Sequence, residues 1–261
     1  MKDKKENLAR FGIFTKGFVY VMIGVLTLVE ALGSSGKKTG SSGVLDTLRS
    51  QPFGQVLLGI TALGLLAFIY WRCYQAFLDP QGIGKNFKGI ITRIGLFASA
   101  VFYLTLCFKA TTMALQITYG SGGDSTSTIV SFILRQPYGQ VVVIILASIF
   151  LGKAIYEFYR SFTGKFKENI KAAELKPKTE KTVLKTGYVG HFARGIVIGV
   201  ISYLMYKAAL NHNSSEAGGT EDAFSFLQNE FGNSVLAVIA SGLLIYGLFM
   251  LIKARYKALG I

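Results

Sequence analysis

Histidine and cysteine are nearly missing from this chain, two of each among 261 residues. Cys73 and Cys107 fall inside separate long apolar stretches at different depths, so no disulfide framework is expected. His191 and His212 are far apart and have no partners at ligand spacing. Neither a His-Glu-x-x-His helix nor a Cys-x-x-Cys knuckle can be assembled, and no metal site is expected. Acidic residues are few as well, 14 Asp and Glu against 28 Lys and Arg. The segment Gly36-Lys37-Lys38-Thr39 has the flavour of a phosphate loop but lacks the leading glycine at the required spacing. With no catalytic set in sight, the chain is expected to be no enzyme and to carry no cofactor.

Apolar residues are abundant: they make up 51% of the chain, and the mean hydropathy is +0.44. That balance is too apolar for soluble domains of this length and points to the membrane class. About 20 apolar residues cross the roughly 30 Å hydrocarbon core as a helix. Six stretches meet that length, near 11–33, 53–77, 90–117, 137–160, 187–210 and 231–252. The first is full length and is followed by another span of the same design, so it reads as a retained helix rather than a cleaved signal.

The net charge of +14 could suggest nucleic acid, but its distribution argues otherwise. Residues 1–10, 78–93, 160–185 and 253–261 hold 18 Lys and Arg, while the opposite loops 33–52, 118–136 and 211–230 hold four. Positive residues beside short loops stay on the cytoplasmic side during insertion. Both termini are therefore expected on the cytoplasmic side of the membrane. Segment 166–185 reads as a charged, solvated linker, its basic run broken by Glu168, Glu174 and Glu180. Attraction to anionic lipid is a secondary reading for it.

The six spans form three copies of one unit. Gln51-Pro52-Phe53-Gly54-Gln55 recurs as Gln136-Pro137-Tyr138-Gly139-Gln140 and more faintly as Asn229-Glu230-Phe231-Gly232-Asn233. Arg10-Phe11-Gly12-Ile13-Phe14 aligns with Arg93-Ile94-Gly95-Leu96-Phe97 and with Tyr188-Val189-Gly190-His191-Phe192. A single offset of 178 carries Gly12 to Gly190, Lys16 to Arg194, Gly17 to Gly195 and Gly54 to Gly232. The repeats are expected at 1–80, 81–165 and 186–261. Proline suits the first helical turn, so Pro52 and Pro137 are expected to open helices. Gly12, Gly17, Gly24, Gly190, Gly195 and Gly199 recur at helical spacing and should let backbones pack closely. Short mixed segments before each second helix, beginning at Val44, Ile129 and Ala223, predict interfacial helices.

Two-span units leave the membrane on the side they entered, so successive copies share one orientation. The expected fold is an all-α integral membrane protein, six transmembrane helices arranged as three parallel repeats around a pseudo-threefold axis along the membrane normal. The paired signature, Arg-x-Gly-x-Phe then Gln-Pro-Phe-Gly, resembles the bacterial membrane family catalogued as domain of unknown function 1206. The resemblance covers nearly the whole chain and implies no particular activity. The third copy departs from it at Tyr188 and Glu230, where the first two have arginine and proline.

Charged residues inside the spans cost about 2.5–3.5 kcal/mol each at mid-helix on insertion scales. Lys109, Lys207 and Glu30 lie near outer ends, where long stems can snorkel. Arg72, Lys153 and Glu157 lie nearer inner ends, and Lys153 to Glu157 is a helical turn, which allows a local ion pair. Lys16 and Arg194 occupy matching positions, with Ser99 as the second-copy counterpart. Were the first helices to face the axis, these cations would converge on an anion or lipid-headgroup site, with Arg10 and Arg93 at its rim. Gly12, Gly95, Gly190, Pro52, Gly54, Pro137, Gly139 and Gly232 are read as structural markers of the repeat. Two functions follow: a structural or accessory membrane subunit, or a small transporter or channel with a pathway along the axis. The expected partners are membrane lipids, anionic ones included, and other membrane proteins.

The charge asymmetry yields a direct topology test. Single cysteines at Ser35, Ser121 and Ser215 in a Cys-free background should react with an impermeant thiol reagent added outside sealed cells. A cysteine at Thr179 should stay unlabelled, and its labelling would reverse the orientation.

Overall fold

The computed structural model describes residues 2–33, 40–80, 82–84, 86–117, 125–166 and 177–256. The expected linker residues 167–176 lie outside these. The described elements are α1 (Lys2–Ala31), α2 (Ser41–Arg49), α3 (Gly54–Leu78), α4 (Phe87–Ala114), α5 (Ser125–Leu134), α6 (Gly139–Thr163), α7 (Pro177–Leu210), a 3₁₀ turn (Ser214–Glu216) and α8 (Thr220–Arg255). Six of them are long and apolar enough to cross a membrane: α1, α3, α4, α6, α7 and α8. Among the described residues there is no strand. The short α2 and α5 are the expected interfacial helices of the first two repeats. In the third repeat the equivalent turns run into the span itself, so α8 carries both and kinks at Gly232.

The repeat signature makes this break in two ways. Pro52 and Pro137 do not open helices as expected; each stands one residue before the N-cap, which is Phe53 or Tyr138. Those aromatic residues adopt the left-handed conformation, φ 61° and 65°. Proline lacks an N–H and cannot extend the preceding helix, so it stops α2 and α5, and the left-handed residue then turns the chain into the membrane. Gly54 follows so closely on the end of α2 that a Cβ there would lie 2.5 Å from the Arg49 carbonyl oxygen, and Gly139 is packed in the same way against the Ile133 carbonyl. In the third copy, where Glu230 replaces proline, the positive φ moves to Gly232 (φ 82°), which has open space around it. Glycine is retained for close approach in two copies and for backbone freedom in the third.

The spans follow one another round the bundle in chain order. Extensive packing joins α1 to α8, α6 to α7, α3 to α4, α7 to α8 and α1 to α3. Among the described residues the sixth seam is missing: α4 and α6, the two helices of the middle repeat, have next to no close backbone contact. These are also the two least buried spans. The closed seams rest on small residues. Gly12 of α1 faces the backbone of Phe68 on α3, and the equivalent Gly190 of α7 faces Tyr246 on α8; an added Cβ would lie 2.5 Å and 2.7 Å from those backbones. Gly64 packs on Thr15, and its equivalent Gly242 on Ala193. Gly24 and Gly247 bring α1 and α8 together in the same manner. In lipid, where no hydrophobic force separates helix from solvent, such contacts supply the dispersion that holds helices together.

At the loop face, side chains tie the repeats. The Glu221 carboxylate accepts hydrogen bonds from Gly40 N (3.0 Å) and Gly43 N (3.1 Å) at the start of α2, a favourable place for an anion on a helix dipole. Lys109 reaches Asp46 at 3.1 Å and Lys207 reaches Glu216 at 3.7 Å, so both lysines find partners on interfacial segments.

The same glycine should therefore behave differently in different copies. Gly12→Ala and Gly190→Ala should lower stability in detergent by about 1–3 kcal/mol through overpacking. Gly95→Ala, whose Cβ would meet nothing within 4 Å, should be neutral or mildly stabilising. Thermal unfolding monitored by circular dichroism separates the cases, and equal losses at all three positions would contradict the missing seam.

Candidate functional site

Several polar side chains are buried in the bundle, and five of them, Lys16, Tyr103, Glu157, Arg194 and Tyr246, stand at four repeat-equivalent positions. Lys16, Ser99 and Arg194 share the first position. Tyr20, Tyr103 and Ile198 share the second, one turn further along the same helices. Phe68, Lys153 and Tyr246 share the third, and Arg72, Glu157 and Met250 the fourth, on the second helices. Of these residues, hydrogen bonds and ring contacts bring Lys16, Tyr20, Phe68, Arg72, Tyr103, Glu157, Arg194 and Tyr246 together.

Arg194 on α7 anchors the cluster. Its Nη1 donates to Glu157 Oε1 on α6 at 2.6 Å and to the Tyr246 hydroxyl on α8 at 3.0 Å, and its Nε donates to the Tyr20 hydroxyl on α1 at 3.2 Å. One guanidinium therefore links four helices, using the planar fork that lysine lacks. The other carboxylate oxygen, Glu157 Oε2, accepts from His191 Nδ1 at 2.5 Å. Arg194, Glu157 and His191 are all buried, and burial of such a pair is tolerable because every carboxylate oxygen is engaged. His191 is enclosed by the rings of Phe166, Tyr246 and Phe249. Its Nε2 has no hydrogen-bond partner among the described residues.

The remaining cations have no carboxylate. Lys16 is 2% exposed, nine residues or about 14 Å inside the span that begins at Asn7. Its ammonium makes no ion pair among the described residues and rests against three aromatic rings, Phe68, Tyr103 and Tyr20, at 5.0, 5.4 and 5.8 Å from their centroids. Such contacts attract a desolvated cation by about 2 kcal/mol at best, which does not replace a counter-ion. Arg72 lies 4.8 Å from the Phe68 centroid and donates to Gln75 Oε1 at 2.9 Å, while its buried Nε has no partner among the described residues. Lys153, half-buried and ten residues or about 15 Å from the end of its span at Thr163, has among the described residues only the Phe150 ring, 5.9 Å away. Lys16 lies in the field of Arg194, Arg72, Lys153 and Glu157, and Lys153 in that of Arg194, Glu157 and Arg72. Glu157 is thus the carboxylate in the field of Arg194, Lys16 and Lys153, and Arg160 also acts on it.

The structure brings Lys16 and Arg194 together, both against Tyr20. It does not bring Arg10 and Arg93 to them. Arg10 donates to the carbonyls of Ala254 and Arg255 at the end of α8, at 2.9 and 3.2 Å, and Arg93 to those of Ala76 and Phe77 at the end of α3, at 2.6 and 2.8 Å. Each arginine caps the second helix of the preceding repeat, satisfying carbonyls that a helix end leaves open. In the third repeat Tyr188 stands in the arginine's place, and the link is made from the other side: Ser161 Oγ donates to the Tyr188 carbonyl at 2.8 Å. Ser99 is half-buried on α4. The expected local pair of Lys153 with Glu157 is also absent, because the carboxylate is turned towards α7. Arg72, Lys153, Glu157 and His191 belong to the cluster although position along each helix alone assigned them to its inner ends or to no role. Carrying each charged residue through the repeat offsets would have revealed Phe68, Lys153 and Tyr246 as one position, and Arg72 and Glu157 as another.

Among the described residues, no group of His, Cys, Asp and Glu could hold a metal ion. With three unneutralised cations, the arrangement suits a negatively charged group.

Comparison with known proteins adds the following. The family described as Domain of Unknown Function (DUF1206) matches three times, at residues 11–79, 94–164 and 189–257. A protein of Bacillus subtilis (strain 168), named Uncharacterized protein YxxB, is 30% identical over 253 residues, covering 97% of this chain and 91% of the relative. No solved structure matches.

The pairing in the cluster predicts the cost of breaking it. Arg194→Gln leaves Glu157 buried with only His191, and should destabilise the fold by about 3–5 kcal/mol. Adding Glu157→Gln should restore much of the loss, since the unpaired charge is gone. An equal loss in the single and double variants, measured as the unfolding midpoint in detergent, would show that the ion pair is not what holds these helices.

Proposed function

The chain belongs to the DUF1206 family, which it matches in three tandem repeats, and within that family we propose that it is a non-enzymatic membrane protein that binds an anionic group in its interior. The observation that carries this is Lys16, a buried ammonium with no ion pair among the described residues, which shares the Phe68 ring with Arg72 and the Tyr20 ring with Arg194. Mutual repulsion of these cations in a medium of reduced dielectric is strong, and the single carboxylate is already engaged by Arg194 and His191. A phosphate or carboxylate group between Lys16 and Lys153 relieves the repulsion through charge-assisted hydrogen bonds. The protein sits in the bacterial inner membrane with both termini in the cytoplasm, and the bound group belongs to a lipid or to a small anion on its way through the bundle. A role as a closed structural or accessory subunit is the alternative, and it requires no ligand at this cluster.

Trp71, the single tryptophan, is 3% exposed and adjoins Arg72, so its fluorescence reports on the cluster. Protein in uncharged detergent is titrated with inorganic phosphate, with short-chain dihexanoyl phosphatidylglycerol and with dihexanoyl phosphatidylcholine. A saturable response to either anion but not to the zwitterion is expected. Lys16→Gln, which breaks no ion pair, should weaken it about ten- to a hundredfold, the value of a charge-assisted contact. An identical response to all three compounds, or one untouched by Lys16→Gln, would leave the accessory subunit as the better account.

A further inference from the structure

Resting on that reading, we propose that the middle repeat is a lateral doorway: the seam between α4 and α6 admits a membrane amphiphile with an anionic head, whose charge meets Lys153 while its chain stays in lipid.

Glycines close the other two hairpins. In the first repeat α1 and α3 meet through Gly12 on Phe68 and Gly64 on Thr15; in the third, α7 and α8 meet through Gly190 on Tyr246 and Gly242 on Ala193. Each hairpin therefore needs a glycine on both helices and an uncharged ring opposite the first glycine. The middle repeat keeps its first glycine, Gly95, but nothing lies within 4 Å of where its Cβ would be. Its second helix has lost both other requirements. Ile149 stands where Gly64 and Gly242 stand, and Lys153 where Phe68 and Tyr246 stand. A branched side chain at 149 blocks the close approach, and an ammonium at 153 opposes burial against an apolar helix without a counter-charge. The open seam is written into the sequence at two independent positions.

What lies behind the seam decides its occupant. Tyr103 on α4 faces Lys16, and Lys153 and Glu157 lie on α6, so the opening leads to the cationic cluster rather than to an apolar floor. Lys153 is about 15 Å from the end of its span, a depth at which a soluble anion would have to shed its hydration. An anion tethered to an acyl or prenyl chain arrives from the membrane side, its tail filling the gap between α4 and α6 where hydrocarbon is the solvent. A neutral lipid head gains nothing from Lys153, and a cationic one is repelled.

The experiment places a reporter in the seam. Trp71→Phe with Ile149→Trp gives a single tryptophan at the position whose equivalents, Gly64 and Gly242, close the other two hairpins; the variant is reconstituted in phosphatidylcholine vesicles with a minority of phosphatidylglycerol, the bromine label carried by one lipid or the other. Selective binding is read as excess quenching by brominated phosphatidylglycerol, about fivefold over brominated phosphatidylcholine at equal mole fraction for a single basic residue's preference. Lys153→Gln should bring the ratio to unity. A ratio of unity in the parent overturns the proposal, because the seam is then filled by bulk lipid without selection. Should the tryptophan perturb the seam, Ile149→Gly with Lys153→Phe recreates the closing residues of the first repeat in the native background. Compared with Lys153→Gln, which still admits lipid chains without selecting their heads, it should exclude phosphatidylglycerol and phosphatidylcholine alike, read as loss of Trp71 quenching by either brominated lipid, and leave the phosphate response of Lys153→Gln unchanged. Equal lipid binding in those two variants overturns lateral access, while the phosphate response with Lys16→Gln separately decides whether the cluster holds an anion at all.

Discussion

One carboxylate in the middle of a membrane protein dictates much of its interior. Glu157 is stable there only because Arg194 and His191 occupy its oxygens, and Arg194 is in place only because the hydroxyls of Tyr20 and Tyr246 take its other donors. These contacts join α1, α6, α7 and α8, so the pair at the centre also determines which helices surround it. The arrangement consumes the cluster's whole negative charge. Lys16, Arg72 and Lys153 are left to aromatic faces and a glutamine, which orient a cation without neutralising it. The surplus of positive charge that the account assigns to a ligand is thus a direct consequence of how the structural pair is satisfied.

Three copies of one unit have diverged at the positions that meet in the interior. Where the exposed Phe14, Phe97 and Phe192 are the same in all three copies and arginines cap α8 and α3, the inner positions hold lysine, serine and arginine, or phenylalanine, lysine and tyrosine. The first and third copies retain the glycines and rings that close their hairpins. The second has exchanged them for Ile149 and Lys153, and its helices stand apart. A repeat fold supplies near-equivalent positions at low cost, and differences among them produce an asymmetric site.

The spans, the repeat and the meeting of Lys16 with Arg194 were legible in the sequence because each rests on a local or periodic pattern: apolar length, a shared offset, a matched position. The roles of Arg72, Lys153 and Glu157 were not, since distance along one helix suggested snorkelling or a turn-to-turn pair, and only packing turns Glu157 towards α7. Arg10 and Arg93 looked like the rim of a site because they share its side of the membrane, yet carbonyls at helix ends compete for them more effectively. The prolines misled by two residues, since the aromatic residue after each adopts a left-handed conformation that its residue type rarely takes. Gly95 concealed the missing seam by being retained. The information lay in its partners Ile149 and Lys153, whose meaning appears only when the equivalent contacts in the other repeats are known.

The central claim is that the buried Lys16 and half-buried Lys153 are neutralised by a bound anionic amphiphile, and an experimental structure of the protein in nanodiscs of mixed phosphatidylglycerol and phosphatidylcholine tests it most directly. The account predicts a head-group feature within hydrogen-bonding distance of the Lys153 and Lys16 ammonium groups, continuous with a chain between α4 and α6. A closed seam with Gly95 packed on Lys153, and Lys16 surrounded by protein atoms alone, would contradict it.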